Sequence, residues 1–187
     1  VKLVNSQWMD CSKGIGRYLA EFYSSEGYLV IGCSRSDMDY KSIEYQHYTL
    51  DISDENLVKS MFTEVRRKYG RLDVLINNAG IAAMNHVLLT PLKEMQKVLN
   101  SNVIGTFLCC REAAKLMKRN RYGRIVNISS IHVPLATEGT SIYSASKASI
   151  EQFSRVLSRE LVQFGITTNS LALSIVTNSG MASHLSD

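Results

Sequence analysis

The chain has 187 residues, enough for one domain of ordinary size or at most two small ones. With 45% hydrophobic and 20% charged residues, the composition excludes a disordered tail, a collagen-like rod and a coiled coil. Lys and Arg (21) exceed Asp and Glu (17) by four, too small an excess to imply nucleic acid without a localised patch, so no nucleic-acid partner is expected.

No stretch approaches the roughly 18 to 20 apolar residues of a membrane span, so no membrane association is expected. The opening VKLVNSQWMD lacks a basic start followed by a long apolar run, the mark of a signal peptide. Cys11, Cys33, Cys109 and Cys110 show no CxxC spacing and read as reduced thiols, which points to the cytoplasm and to no metal site.

In chain order, a weak strand is expected over residues 3–9 and a helix over 14–25. Gly27 breaks the chain before the apolar run 28–33. After Asp51, Ser53 is the expected N-cap of a helix with Asp54 and Glu55 in its first turn. Leu57, Met61, Phe62 and Val65 follow at helical spacing, and Arg66, Arg67, Lys68 and Gly70 close that helix; the basic run reads as a solvated helix end. A strand over 73–77, a long helix over 92–117, a strand over 124–128, a helix over 143–164 and a strand over 167–173 complete the pattern. Asn127-Ile128-Ser129 matches a glycosylation acceptor, but it falls in a buried strand and is discounted. Strands alternating with helices in this way predict an α/β fold, a parallel sheet covered by helices. No repeat or Pro/Gly-rich linker divides the chain, so residues 1–187 read as a single domain.

Between the first strand and first helix lies Cys11-Ser12-Lys13-Gly14-Ile15-Gly16. Glycines in such a turn let the backbone approach a pyrophosphate, and the helix N-terminus supplies N–H groups and a positive dipole end. The second strand ends Cys33-Ser34-Arg35-Ser36, with a cation where an acid would hold a ribose 2′-hydroxyl. Arg35 and Lys13 together favour NADP(H) over NAD(H). Tyr143-Ser144-Ala145-Ser146-Lys147 places a phenol and an ammonium on one face of a helix start. A free Tyr titrates near 10, so about three pH units, roughly 4 kcal/mol, separate it from proton exchange at neutrality. A nearby cation favours the phenolate, which Lys147 would supply. Ser130 ends the preceding strand thirteen residues before Tyr143, Asn77-Asn78-Ala79-Gly80 ends the one before, and Asn102 lies within the long helix. In an open parallel sheet the carboxyl ends of the strands share one crevice, so these groups face the same mouth as the glycine turn.

Taken in order, the glycine turn, the Asp51-Ile52 pair, the NNAG strand end, the helical Asn, the Ser and the YxxxK resemble the short-chain dehydrogenase/reductase family, in the compact branch that includes 3-oxoacyl-carrier-protein reductases. The resemblance covers nearly the whole chain. It implies a doubly wound, Rossmann-like sheet in three α/β/α layers, and an enzyme that interconverts a carbonyl and a secondary alcohol by hydride transfer with NADP(H). By the same resemblance Tyr143 is the general acid/base and Lys147 lowers its pKa while holding the nicotinamide ribose. Ser130 bonds the substrate oxygen, and Asn102 supports a water-linked proton path from Lys147. The cofactor set implied is Ser12, Lys13, Gly14, Ile15, Gly16, Ser34, Arg35, Asp51, Ile52, Asn78, Ala79, Gly80, Tyr143, Lys147 and, past the last strand, Val176. A homodimer or homotetramer through the two long helices is implied as well, with a small carbonyl or alcohol compound as substrate.

The chain departs from the family pattern at Met9-Asp10, where the family has Thr-Gly, and at Leu173-Ser174, where it has Pro-Gly. A carboxylate at Asp10 stands close to an expected pyrophosphate, a like-charge contact that works against the nucleotide. This departure is the argument for the alternative, a non-catalytic relative acting as a scaffold or regulator. The family's substrate-covering loop, final helix and final strand are expected to be missing after ASHLSD. The loop residues Ile81, His132, Val133 and Leu135 suggest a partly apolar pocket, with His132 at the loop surface rather than in the chemistry.

Overall fold

The computed structural model describes residues 14–78, 80–174 and 176, and the backbone of residues 3–7. Six parallel strands form one sheet: β1 (Leu3–Gln7), β2 (Leu29–Ser34), β3 (Tyr45–Thr49), β4 (Val74–Asn77), β5 (Gly123–Ser130) and β6 (Ile166–Leu173). Their order is β3-β2-β1-β4-β5-β6. The chain builds outward from β1 to β3, then crosses over and builds from β4 to β6. The reversal between β1 and β4 opens a crevice at their carboxyl ends. Backbone pairing runs through the centre, with Asn5 in register with Ile31 of β2 and Leu75 of β4.

One face of the sheet is covered by α1 (Gly14–Ser25), which packs Ala20 with Val30, Met38 and Ile76. The other carries the larger core, where α2 (Glu55–Tyr69), α4 (Gly105–Asn120) and α6 (Ser141–Leu161) bring Val58, Phe62, Leu108, Leu116 and Leu157 onto Ile31, Leu75 and Ile125. β2 is buried over nearly its whole length because it is covered on both faces. The expected doubly wound α/β/α architecture is therefore the one observed.

Several boundaries differ from the sequence expectation for identifiable reasons. Asp54, not Ser53, caps α2: its carboxylate accepts from the N–H groups of Asn56 and Leu57 at 2.8 and 3.1 Å. Ser53 is instead drawn into the preceding turn, where its N–H and hydroxyl both donate to Asp51 Oδ1. The long helix expected over 92–117 is divided. It runs as α3 (Leu92–Leu99), a π-helical turn at Asn100–Ile104, and α4, which continues to Asn120. The helix expected over 143–164 begins at Ser141 and tightens into a 3₁₀ turn at Val162–Phe164. A four-residue helix, α5 (His132–Leu135), follows β5. Asn127 is fully buried in β5, as its discounting as a glycosylation site requires.

No helix among the described residues is long and apolar enough to cross a membrane. Replacing Asp54 with Ala should destabilise the protein by about 1 kcal/mol, the usual cost of an N-cap. A denaturant midpoint left unchanged by Asp54→Ala would refute the capping assignment.

Candidate active site

The π turn sets the position of Asn102. Inserting one residue into the hydrogen-bond ladder rotates the side chain inward, and π turns of this kind recur at functional sites. Asn102 is fully buried. Its Oδ1 accepts from the N–H of Ile81 at 2.8 Å, and its Nδ2 donates to the Ile81 carbonyl at 3.1 Å. The same Nδ2 reaches the Ser146 hydroxyl at 2.9 Å, and Ser146 donates to the carbonyl of Tyr143. One carboxamide thus ties the loop after β4 to the first turns of α6.

Helical spacing puts Tyr143 and Lys147 on the same inward face of α6, with the Lys147 Nζ 5.9 Å from the centre of the Tyr143 ring. Tyr143 is 5% exposed and Lys147 is 2% exposed. Among the described residues the ammonium finds one hydrogen-bond acceptor, the carbonyl of Ile128 on β5 at 2.9 Å. Gly80 lies directly against it: a Cβ on Gly80 would stand 2.9 Å from Nζ, so the ammonium would have to shift to admit one. Burial pushes the Lys147 pKa down to about 8. Burial also raises the Tyr143 phenol above its ordinary value, opposed only by a hydrogen bond with Ser130. Desolvation of the phenol therefore outweighs the Ser130 hydrogen bond that opposes it.

Ser130 ends β5 and is 5% exposed. Its hydroxyl accepts weakly from the N–H of His132 at 3.3 Å and meets the Tyr143 phenol. Its neighbour Ser129 points the other way and donates to Glu151 Oε1 at 2.6 Å. The His132 ring stands edge-on to Tyr143, 6.0 Å between centroids, so this residue, expected at a loop surface, begins α5 and packs on the phenol. Sequence spacing marks neither that contact nor the carbonyl of Ile128, which acts through its backbone.

On the nucleotide side, Gly14 adopts a left-handed φ of 60° at the start of α1, and Ile15 and Gly16 follow in its first turn. An open cleft of about 290 Å³ lies beyond the tips of β2 and β3. Arg35 from the β2 tip, Asp51 and Ser53 from the β3–α2 turn, Ile81, and Lys93 and Lys97 from α3 line it. Ser34 is buried behind Arg35. Ile52 turns its side chain into the core, 2% exposed, against Gly105, so only its backbone can face a ligand. Asn78 and Gly80 follow β4 at the mouth, each partly exposed. Val176 is exposed beyond β6. Ser12, Lys13 and Ala79, together with Met9 and Asp10, lie outside the described residues.

The group of a phenol, a hydroxyl and a buried ammonium can hold and transfer a proton to an oxygen placed between Tyr143 and Ser130. A nucleotide fits beside it on two counts. An ammonium carries three donors, of which the described residues take one, and Gly80 beside it adds no side chain of its own. The cations Arg35, Lys93 and Lys97 along the cleft suit phosphate.

A short chain dehydrogenase family model matches residues 9–187. The 3-oxoacyl-[acyl-carrier-protein] reductase FabG of Staphylococcus aureus (strain N315) is 33% identical over 186 residues, covering 94% of this chain and 75% of the relative. That of Escherichia coli (strain K12) is 31% identical over 167 residues, covering 86% and 68%. Among solved structures, a short-chain dehydrogenase from Streptomyces avermitilis superposes with a TM-score of 0.89 at 29% identity, over 95% of this chain and 68% of that one. ElxO with NADP bound gives 0.84 at 30% identity, over 90% and 72%. The chain therefore belongs to the short chain dehydrogenase family of oxidoreductases.

Proposed function

We propose that this protein reduces a carbonyl to a secondary alcohol, or runs the reverse oxidation, with NADP(H) and with Tyr143 as the proton donor and acceptor. The observation that carries the reading is the shared burial of Tyr143 and Lys147 beside Ser130 at the carboxyl ends of β4 and β5. When bound, the nicotinamide supplies or accepts the hydride.

The chain's own residues supply the proton and the positioning. A phenol held above its ordinary pKa is protonated at neutral pH, the form that donates to a carbonyl oxygen as negative charge develops there. Ser130 offers a second hydrogen bond to that oxygen. The Lys147 ammonium stabilises the phenolate left behind and has donors available for the ribose hydroxyls of the nucleotide. Asn102 acts at one remove: bonded to Ile81 and Ser146, it holds the loop after β4 against α6, and a water-linked path from Lys147 would pass beside it.

Gly14, Ile15 and Gly16, with Ser12 and Lys13 before them, are the proposed pyrophosphate cradle. Asp51 and the backbone of Ile52 would meet the adenine, and Asn78, Ala79, Gly80 and Val176 the remainder of the nucleotide. Ser34 supports Arg35, the proposed reader of the 2′-phosphate. The bound nucleotide in ElxO and the basic lining of the cleft support NADP(H) over NAD(H).

The 3-oxoacyl-[acyl-carrier-protein] reductase relatives support a ketone rather than an aldehyde or imine as substrate. An apolar groove between the π turn, α4 and α6, lined by Val103, Ile104, Phe107, Ile150 and Phe153, supports self-association through these helices. The buried free thiols of Cys33, Cys109 and Cys110 suit a cytoplasmic protein. Retention of all four proposed catalytic residues speaks against a scaffold that keeps only the fold.

Tyr143→Phe should lower NADPH-dependent ketone reduction by about 10²–10⁴-fold while leaving NADPH affinity nearly unchanged, as read by turnover and by nucleotide fluorescence. Retained turnover would remove Tyr143 from the mechanism.

Lys147 has a pKa of about 8 in the folded chain against an ordinary 10.5. Below pH 8 both folded and unfolded states carry the charge, and the fold bears its full burial cost. Between about 8 and 10.5 the unfolded chain binds more protons, so stability from this group rises with pH. Relative to Lys147→Met, the wild type should gain on the order of 2–3 kcal/mol between pH 7 and pH 10, measured by chemical denaturation. Parallel curves for the two proteins would show that the ammonium is not desolvated.

A further inference from the structure

Arg35 is exposed, and among the described residues its side chain makes no hydrogen bond or ion pair. Its placement therefore depends on the backbone that carries it. The residues on either side of Arg35 both converge on one ring nitrogen. His47, on the neighbouring strand β3, has its Nε2 3.0 Å from the carbonyl oxygen of Ser36 and 3.1 Å from the hydroxyl of Ser34. The Ser34 hydroxyl itself donates to that same Ser36 carbonyl.

The tautomer of the neutral ring follows from its partners. A carbonyl can only accept, so Nε2 carries the hydrogen and Nδ1 is left as the acceptor. Nδ1 has a donor in place, the Tyr45 hydroxyl at 2.7 Å. Tyr45 lies two residues back on the same face of β3, and its ring crosses β2 over Gly32. A Cβ on Gly32 would stand 2.2 Å from the Tyr45 oxygen, so the missing side chain is what admits the ring. The sequence of contacts Gly32, Tyr45, His47, Ser34 and Ser36 ends on the two sides of the residue proposed to read the nucleotide.

We propose that His47 is a positioning residue for cofactor selection: by clamping Ser34 and Ser36 it fixes the backbone of Arg35 so that the guanidinium meets a 2′-phosphate at the edge of the cleft. This inference rests on the NADP(H) reading of Arg35 given above. His47 does not touch the nucleotide; it restricts the conformations of the loop before binding, and binding to an already ordered loop loses less conformational entropy. The benefit falls on the 2′-phosphate contact alone, because the rest of the nucleotide is held by other elements. Discrimination, rather than overall affinity, is therefore the quantity that His47 controls.

The test uses the full chain with NADPH and NADH as probes, titrated by fluorescence against wild type, His47→Leu, His47→Gln, Arg35→Ala and the Arg35→Ala/His47→Leu double variant. His47→Leu removes both polar nitrogens at similar volume. His47→Gln keeps an amide N–H able to reach the place of Nε2. His47→Leu should weaken NADPH about five- to tenfold and NADH by less than about twofold. His47→Gln should restore most of the preference. In the Arg35→Ala background, where NADPH preference has fallen by about tenfold or more, His47→Leu should have no further effect on the ratio.

An unchanged NADPH-to-NADH ratio in His47→Leu, or an equal loss for both nucleotides, overturns the proposal, since a merely structural role would move the two together. If the wild type shows no NADPH preference, or Arg35→Ala leaves it intact, the reading of Arg35 fails and this inference with it. A clear Arg35 effect beside a silent His47 overturns the positioning role alone. Should His47→Leu not fold, Tyr45→Phe carries the test: losing the donor to Nδ1 while keeping the ring should lower the ratio a few-fold, and an unchanged ratio there refutes the proposal.

Discussion

A buried ammonium is the constraint around which this site is arranged. Lys147 places a full charge where water hardly reaches, with the carbonyl of Ile128 as its described acceptor. An isolated charge in such surroundings is costly, and proteins keep one only when something offsets the cost. The rest of the site bears the geometry this demands. β5 must offer a carbonyl at Ile128, Gly80 leaves the space beside Nζ clear, and α6 must begin close enough to the sheet for a lysine to reach back. Together they produce a cation that a ligand rich in oxygen atoms would satisfy.

Beneath the ammonium, two polar chains set the spacing between helices and sheet. In one, Asn77 Nδ2 donates to Asn127 Oδ1 at 2.7 Å, and Asn127 Nδ2 donates to Ser154 on α6 at 2.8 Å. Ser154 in turn donates to the carbonyl of Ile150. The Cys110 thiol of α4 sits against both asparagines, and full burial pushes its pKa up to about 12, so it remains a neutral packing group. In the other, Asn102 joins the π turn to Ile81 and Ser146. Buried polar contacts of this kind give direction, where apolar packing would tolerate a shift along the helix axis. They hold α6 in register with β4 and β5, and so hold Tyr143 against Ser130.

The parts of this arrangement that can be read from sequence are those carried by periodicity and by side chains acting in their usual roles. The buried run of β2 and the helical spacing of Leu57, Met61 and Val65 identify their elements directly. The four-residue step from Tyr143 to Lys147 likewise places both on one face. Other parts resist such reading for physical reasons. β3, with the sequence Tyr-Gln-His-Tyr-Thr, is a half-buried edge strand whose polar side chains serve each other, so no apolar alternation marks its bounds. Asp54 and Ser53 are both good capping residues, and the choice falls to Asp54 because Ser53 is occupied by Asp51. The π turn leaves no compositional trace, since one inserted residue shifts a phase rather than a pattern. The upward shift of the Tyr143 pKa depends on how much water the fold removes, and spacing along a helix does not contain that quantity.

The two ends of the site differ in the same way. At the proposed chemical end, Tyr143 and Lys147 belong to one rigid helix, and their relation is set by the helix repeat itself. At the proposed recognition end, Arg35 sits on a turn between strands, and its setting depends on a histidine eleven or more residues away that meets Ser34 and Ser36 through their polar atoms. A local motif suffices for the first; for the second it marks Arg35 itself, while the contacts that hold its backbone need two neighbouring strands in register, Gly32 beside Tyr45 and His47 beside the β2 tip. If the proposed roles hold, the acid–base pair rides on one helix and the proposed selectivity on contacts between strands, so the second could change without disturbing the first.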